Sequence, residues 1–123
     1  MIMFEKTVSV FLSGGPVMWP ILALSVTGLA ILAYKGMELR RGKKSRRGLV
    51  VVSTIITAEP MLGILGTVTG IMRTFRALGA DAAASPMAAT AGIGEALVTT
   101  AAGLVASLIL LFPYNVLDER AED

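Results

Sequence analysis

The 123-residue chain contains no cysteine and no histidine. The first absence excludes disulfides, thiol catalysis and thiolate metal sites. The second removes the usual general base near neutral pH and the commonest metal ligand. Charge is scarce as well: 16% of residues are Asp, Glu, Lys or Arg, against 54% apolar. A soluble domain of this size needs more charge than that to cover its surface. Neither catalysis nor a metal or other cofactor is therefore expected.

What charge there is clusters. None occurs from Thr7 to Tyr34, only Glu59 interrupts Leu49 to Met72, and only Glu95 interrupts Ala82 to Leu117. A membrane span needs about 20 mostly apolar residues, and each stretch is long enough. A soluble helical bundle would instead repeat polar residues at the helical period. The expected fold is an all-α membrane protein of three transmembrane helices. Residues 1–16 read as a leader or interfacial segment, closed by the turn signal Ser13-Gly14-Gly15-Pro16. Glu5 beside Lys6, with no small-residue cleavage site, argues against a cleavable signal. The first span is expected over 17–35, a basic loop over 36–48, the second span over 49–74, a link over 75–86, the third span over 87–113 and a tail over 114–123. Trp19 and Tyr34 flank the first span, where amphipathic rings favour the bilayer interface.

Seven of the eleven Lys and Arg residues lie between Lys35 and Arg47. Between two apolar spans such a run is a juxtamembrane loop, not a nucleic-acid site. The positive-inside bias makes that loop cytoplasmic, the N-terminus and the 75–86 link external, and the tail cytoplasmic. Arg73 and Arg76 weaken the contrast without reversing it. No internal repeat suggests an inverted-repeat transporter.

The second span places Ser53, Thr57, Thr67 and Thr74 on one helical face. Glu59, Gly63, Gly66 and Gly70 fall on an adjacent face, and glycines so spaced let another helix approach closely. Pro60 removes a backbone hydrogen bond and frees a carbonyl, as a shape element or as part of a hydrated path. In the third span Glu95, Thr99, Gly103 and Ser107 recur every four residues, with Thr100 at the edge of the arc. Leu97, Leu104, Leu108 and Leu111 occupy the other side. The small polar side should face protein or water and the leucines lipid. Glu95 is the more informative carboxylate, because a membrane-embedded carboxylate is costly unless hydrated, paired or protonated. It reads alternatively as a helix-start carboxylate near the interface. Glu59 lies on a less clearly polar face and stands as a possible second site with Pro60.

Two segments carry a recognisable pattern. One is Leu62-Gly63-Ile64-Leu65-Gly66-Thr67-Val68-Thr69-Gly70-Ile71-Met72, with Pro60 before it and Phe75 after. The other is Gly92-Ile93-Gly94-Glu95-Ala96-Leu97, followed by Thr100-Ala101-Ala102-Gly103-Leu104 and Tyr114-Asn115. Together they resemble the paired signature of the MotA/TolQ/ExbB proton-channel family, most like its ExbB and TolQ branch. The resemblance covers the last two spans, about half the chain.

The resemblance implies a homo-oligomeric ring, typically a pentamer, in the bacterial inner membrane. It implies a single-span partner of the ExbD/TolR type that supplies a membrane aspartate, and by extension a TonB/TolA-like protein. The family's pore threonines match Thr67 and Thr100, its third-span glutamate matches Glu95, and Thr99 adjoins them as a further ion-pathway residue. Gly63, Gly66, Gly70 and Gly103 are the expected helix-packing positions. The implied function is a proton-channel subunit that uses the proton motive force to energise envelope transport or mechanical work. The alternative is a non-conducting membrane scaffold from the same family. A small multidrug-type exporter fits less well, since that class has four spans and its glutamate in the first. The sequence also departs from the family. The 36–48 loop is short where a helical cytoplasmic region is usual, and the third span ends close to Asp123. Both imply a short form lacking most of the cytoplasmic region. The family's late third-span proline would fall at Ile109, whereas here it is Pro113.

Overall fold

The computed structural model describes residues 1–13, 15–43, 45–80 and 86–121. They form four α-helices, α1 (Ile2–Ser13), α2 (Met18–Arg40), α3 (Leu49–Ala80) and α4 (Pro86–Arg120), and no strand. Residues 81–85 of the expected link lie outside the described residues. So do 14 of the leader, 44 of the basic loop and 122–123 of the tail.

Three helices, α2, α3 and α4, are long and apolar enough to cross a membrane. At 1.5 Å per residue they measure about 34, 48 and 52 Å, against about 30 Å of hydrocarbon. The two longer helices therefore outrun their apolar spans. α3 carries Arg73 and Arg76 on to Ala80, and α4 continues through Pro113 to Arg120.

Sequence chemistry explains the α2–α3 connection. Gly42 has φ +85°, a conformation that suits a residue without a Cβ. Its N–H bonds the Leu39 carbonyl at 3.1 Å, and the Lys43 N–H bonds the Glu38 carbonyl at 2.9 Å. This 5→2 and 6→1 pair is a Schellman cap, which stops α2 and satisfies its last carbonyls. Gly48, at φ +91°, opens α3. Lys35 turns inward over this bend, 3.1 Å from Glu38 Oε2. Arg46 then reaches Asp118 Oδ1 at 2.6 Å and ties the loop to the far end of α4.

α3 and α4 pack along most of their length, and α2 lies across both. Near the basic-loop end, Leu32, Leu49, Val52, Ile55, Leu110 and Ala121 form the buried apolar cluster. Gly28 of α2 receives Leu110: a Cβ at Gly28 would stand 2.8 Å from Leu110 Cδ1. The outer surface is apolar, with Leu97, Leu104 and Leu108 of α4 all about half exposed at 54%, 49% and 52%. Lipid or a neighbouring subunit is the natural environment for such a surface. α1 likewise exposes Ile2, Met3, Phe4, Val8 and Leu12.

Candidate functional site

Where α3 meets α4, side chains give way to backbone. A Cβ on Gly63 would lie 2.6 Å from the Thr99 carbonyl oxygen and 3.1 Å from Thr100 Cα. One on Gly66 would lie 2.8 Å from Thr99 Cβ, and one on Gly70 would lie 2.8 Å from Ala96 Cβ. From the other side, Gly103 is set against the Glu59 carbonyl and Gly63 Cα. Lipid tails are as apolar as leucine, so helices in a bilayer associate through such packing and through interhelical hydrogen bonds.

The close approach brings three hydroxyls to one place. Thr67 Oγ1 donates to the Ala96 carbonyl across the interface at 2.8 Å and contacts Thr100 Oγ1. Thr99 Oγ1, fully buried, donates to the Gly63 carbonyl at 3.0 Å and also lies 2.8 Å from the Ala96 carbonyl. Thr100 Oγ1 stands 3.4 Å from the same Gly63 carbonyl. The structure thus gathers Thr67, Thr99 and Thr100 around glycines of α3. The row of hydroxyls expected along α3 divides instead. Thr57 is exposed and bonds back to the Ser53 carbonyl of its own helix at 3.2 Å, a contact open to any helical threonine. Thr74 also bonds its own helix, at the Gly70 carbonyl, while its side chain meets Gly92 of α4.

Glu59 and Pro60 lie about one turn before Gly63 on α3. Pro60 has no N–H to offer the Ile56 carbonyl, and Ser107 Oγ of α4 takes that carbonyl at 2.7 Å. Glu59 is fully buried. Its Oε1 lies 2.7 Å from Ser25 Oγ of α2, and its Oε2 is buried with no hydrogen-bond partner. Sequence reasoning did not single out Ser25, a lone hydroxyl in an uncharged run whose approach to Glu59 depends on how α2 docks.

Glu95 stands at the edge of the glycine seam, beside a cavity that Gly66, Gly70 and Ala96 also line. It is exposed, and the cavity, of about 270 Å³, takes in Thr69, Arg73, Thr74 and Gly92 as well. Of the two membrane carboxylates, then, the one on the clearer polar face opens outward and the other is enclosed.

The family model described as the MotA/TolQ/ExbB proton channel family matches residues 34–123. The match starts ahead of the basic loop and takes in both helices of the glycine seam. The ExbB-like 1 protein of Synechocystis sp. is 47% identical over 89 residues, covering 70% of this chain and 35% of that protein. The Tol-Pal system protein TolQ of Pseudomonas aeruginosa is 36% identical over 83 residues, 68% of this chain and 36% of TolQ. The biopolymer transport protein ExbB of Xanthomonas campestris pv. campestris is 36% identical over 83 residues, 68% of this chain and 33% of ExbB. The chain thus spans about a third of the length of these relatives. No solved structure gives a significant match. With three helices able to cross a bilayer and a family match over residues 34–123, this multi-pass membrane chain belongs to the MotA/TolQ/ExbB proton channel family, on its ExbB and TolQ side.

Proposed function

We propose that this chain is the channel-ring subunit of an ExbB/TolQ-type complex, using the proton motive force to energise envelope transport or mechanical work. The observation that carries the reading is the cluster of Thr67, Thr99 and Thr100, held in a seam of glycines between α3 and α4. Hydroxyls held in that seam can support a file of water, and the apolar outer faces suit neighbouring subunits and lipid. Glu95, exposed and beside the outer cavity, attracts cations towards the seam.

Several copies would assemble as a homo-oligomeric ring, a pentamer by family resemblance, around a single-span ExbD/TolR-like partner. The partner's membrane carboxylate would complete the relay, and a TonB/TolA-like protein would take up the work. Location in the inner membrane follows from the TolQ and ExbB relatives. The basic loop faces the cytoplasm by the positive-inside bias, and the N-terminus faces outward.

Proton flux into liposomes holding the chain and its partner tests the reading. Flux should fall to background in Thr100→Ala and in Glu95→Ala, with assembly intact by subunit counting. Unchanged flux would remove these residues from the pathway. No flux in the wild-type complex would leave the non-conducting scaffold as the better account.

A further inference from the structure

Ser25 has one hydroxyl proton, and two oxygens compete for it. Its Oγ lies 2.7 Å from the Ile21 carbonyl oxygen and 2.7 Å from Glu59 Oε1. A single O–H cannot fill both contacts. With Glu59 ionised, one of the two would be a 2.7 Å approach of bare oxygens. With a proton on Glu59 Oε1, both are filled in series. The acid O–H donates to Ser25 Oγ, and the Ser25 O–H donates to the Ile21 carbonyl. Oε2 is then the carbonyl oxygen of a neutral acid. It is buried without a partner, which costs a neutral carbonyl far less than a carboxylate oxygen.

The packed elements bring no compensating charge. Against Glu59, α2 sets Ser25 and α4 sets the glycine backbone at Gly103. At the helical rise, Lys35 on α2 is about 15 Å along the axis from Ser25, and Glu95 on α4 about 12 Å from Gly103. On α3 itself, Arg73 stands about 21 Å from Glu59 along the axis and Arg76 further still, while Arg47 lies before the helix begins. The remaining charges on α2 and α4, Glu38, Arg40, Asp118, Glu119 and Arg120, are further along. Glu5 and Lys6 of α1 are exposed.

We propose that Glu59 and Ser25 form a proton-binding site inside the subunit, separate from the threonine seam. The proton rides on Glu59 Oε1 and joins α2 to α3. Its release to water leaves a carboxylate and turns the Ser25 O–H from Ile21 towards Glu59, so exchange needs one hydroxyl rotation. The site goes beyond the channel reading, since a non-conducting scaffold would hold the same proton.

Infrared difference spectroscopy on the full chain in liposomes at neutral pH tests this. The wild type should show a carboxylic acid C=O band that shifts in D₂O. Glu59→Gln should abolish it, Glu95→Gln should leave it, and Ser25→Ala should move it to higher frequency as its hydrogen bond is lost. Absence of the band in the wild type would overturn the proposal, and so would its survival in Glu59→Gln. Should Glu59→Gln fail to fold, the other two variants decide. A band unmoved by Ser25→Ala, or lost in Glu95→Gln, equally defeats the assignment.

Discussion

Replacing Gly63 by alanine tests whether the α3–α4 seam is set by backbone contact. The new Cβ would stand 2.6 Å from the Thr99 carbonyl oxygen, inside any real Cβ contact, and 3.1 Å from Thr100 Cα. Both neighbours are backbone, so no side chain can turn away and the helices must part. Overpacking of this kind costs about 1–3 kcal/mol. Parting also stretches the Thr99 bond to Gly63 and the Thr67 bond to Ala96. Each such bond is worth about 0.6 kcal/mol in a membrane protein. Alanine's better helix propensity offsets at most about 1 kcal/mol. The expected net loss is therefore about 1–3 kcal/mol, taking the overpacking range as the guide. Gly36→Ala is the control, because a Cβ there has nothing within 4 Å. It gains the propensity term and suffers no clash. The assay is reversible unfolding in mixed detergent micelles, followed by far-UV circular dichroism and by Trp19 fluorescence. Equal stability of Gly63→Ala and wild type would refute the backbone-contact argument.

Ser107→Ala should cost about 1–3 kcal/mol, because the Ile56 carbonyl that Pro60 cannot serve is left without a donor. The double variant Pro60→Ala/Ser107→Ala should recover much of that loss, and additivity in the same unfolding assay would count against the pairing. Thr67→Val should lower stability by only about 0.6 kcal/mol while abolishing proton flux, which separates a conducting role from a packing one. Arg46→Ala removes a largely exposed pair with Asp118, so it should change stability by less than about 1 kcal/mol at low salt and by less again at high salt.

The spans were legible because charge is excluded from hydrocarbon, and exclusion leaves gaps that can be read along a line of residues. The glycines at 63, 66 and 70 were legible for a related reason. Their spacing fixes a face, and a face without side chains has few other uses in a bilayer. The partners across that face were not legible in the same way. Pro60 announces a freed carbonyl at Ile56, but Ser107 lies 47 residues beyond Pro60, and only the crossing of α3 and α4 brings them together. Glu59 and Glu95 make the limit clearest. Glu95 drew attention because its own helix arranges small polar residues around it. Glu59 has no such helix face, and what encloses it is Ser25 on one neighbour and Gly103 on another. Periodicity describes one helix at a time, so burial created jointly by three helices escapes it.

On the proposal that the threonine cluster lines an ion path, proton counting sets the sign of ion it would favour. Thr67, Thr99 and Thr100 bring three hydroxyl protons, and each has an acceptor within the cluster at the Ala96 carbonyl, the Gly63 carbonyl or a neighbouring hydroxyl. Glycines at 63 and 66 leave the Gly63 carbonyl uncovered by side chains, so it serves the cluster as well as its own helix. With the protons engaged, the hydroxyl oxygens offer lone pairs to whatever enters. Water or hydronium can donate to such a lining, whereas an anion would have to pull a proton away from a carbonyl. A conducting assembly of this chain should therefore pass protons with no measurable chloride current. Reversal potentials in asymmetric HCl and NaCl gradients across planar bilayers measure this directly. A chloride contribution that persists in Thr67→Val would show that the lining lies elsewhere.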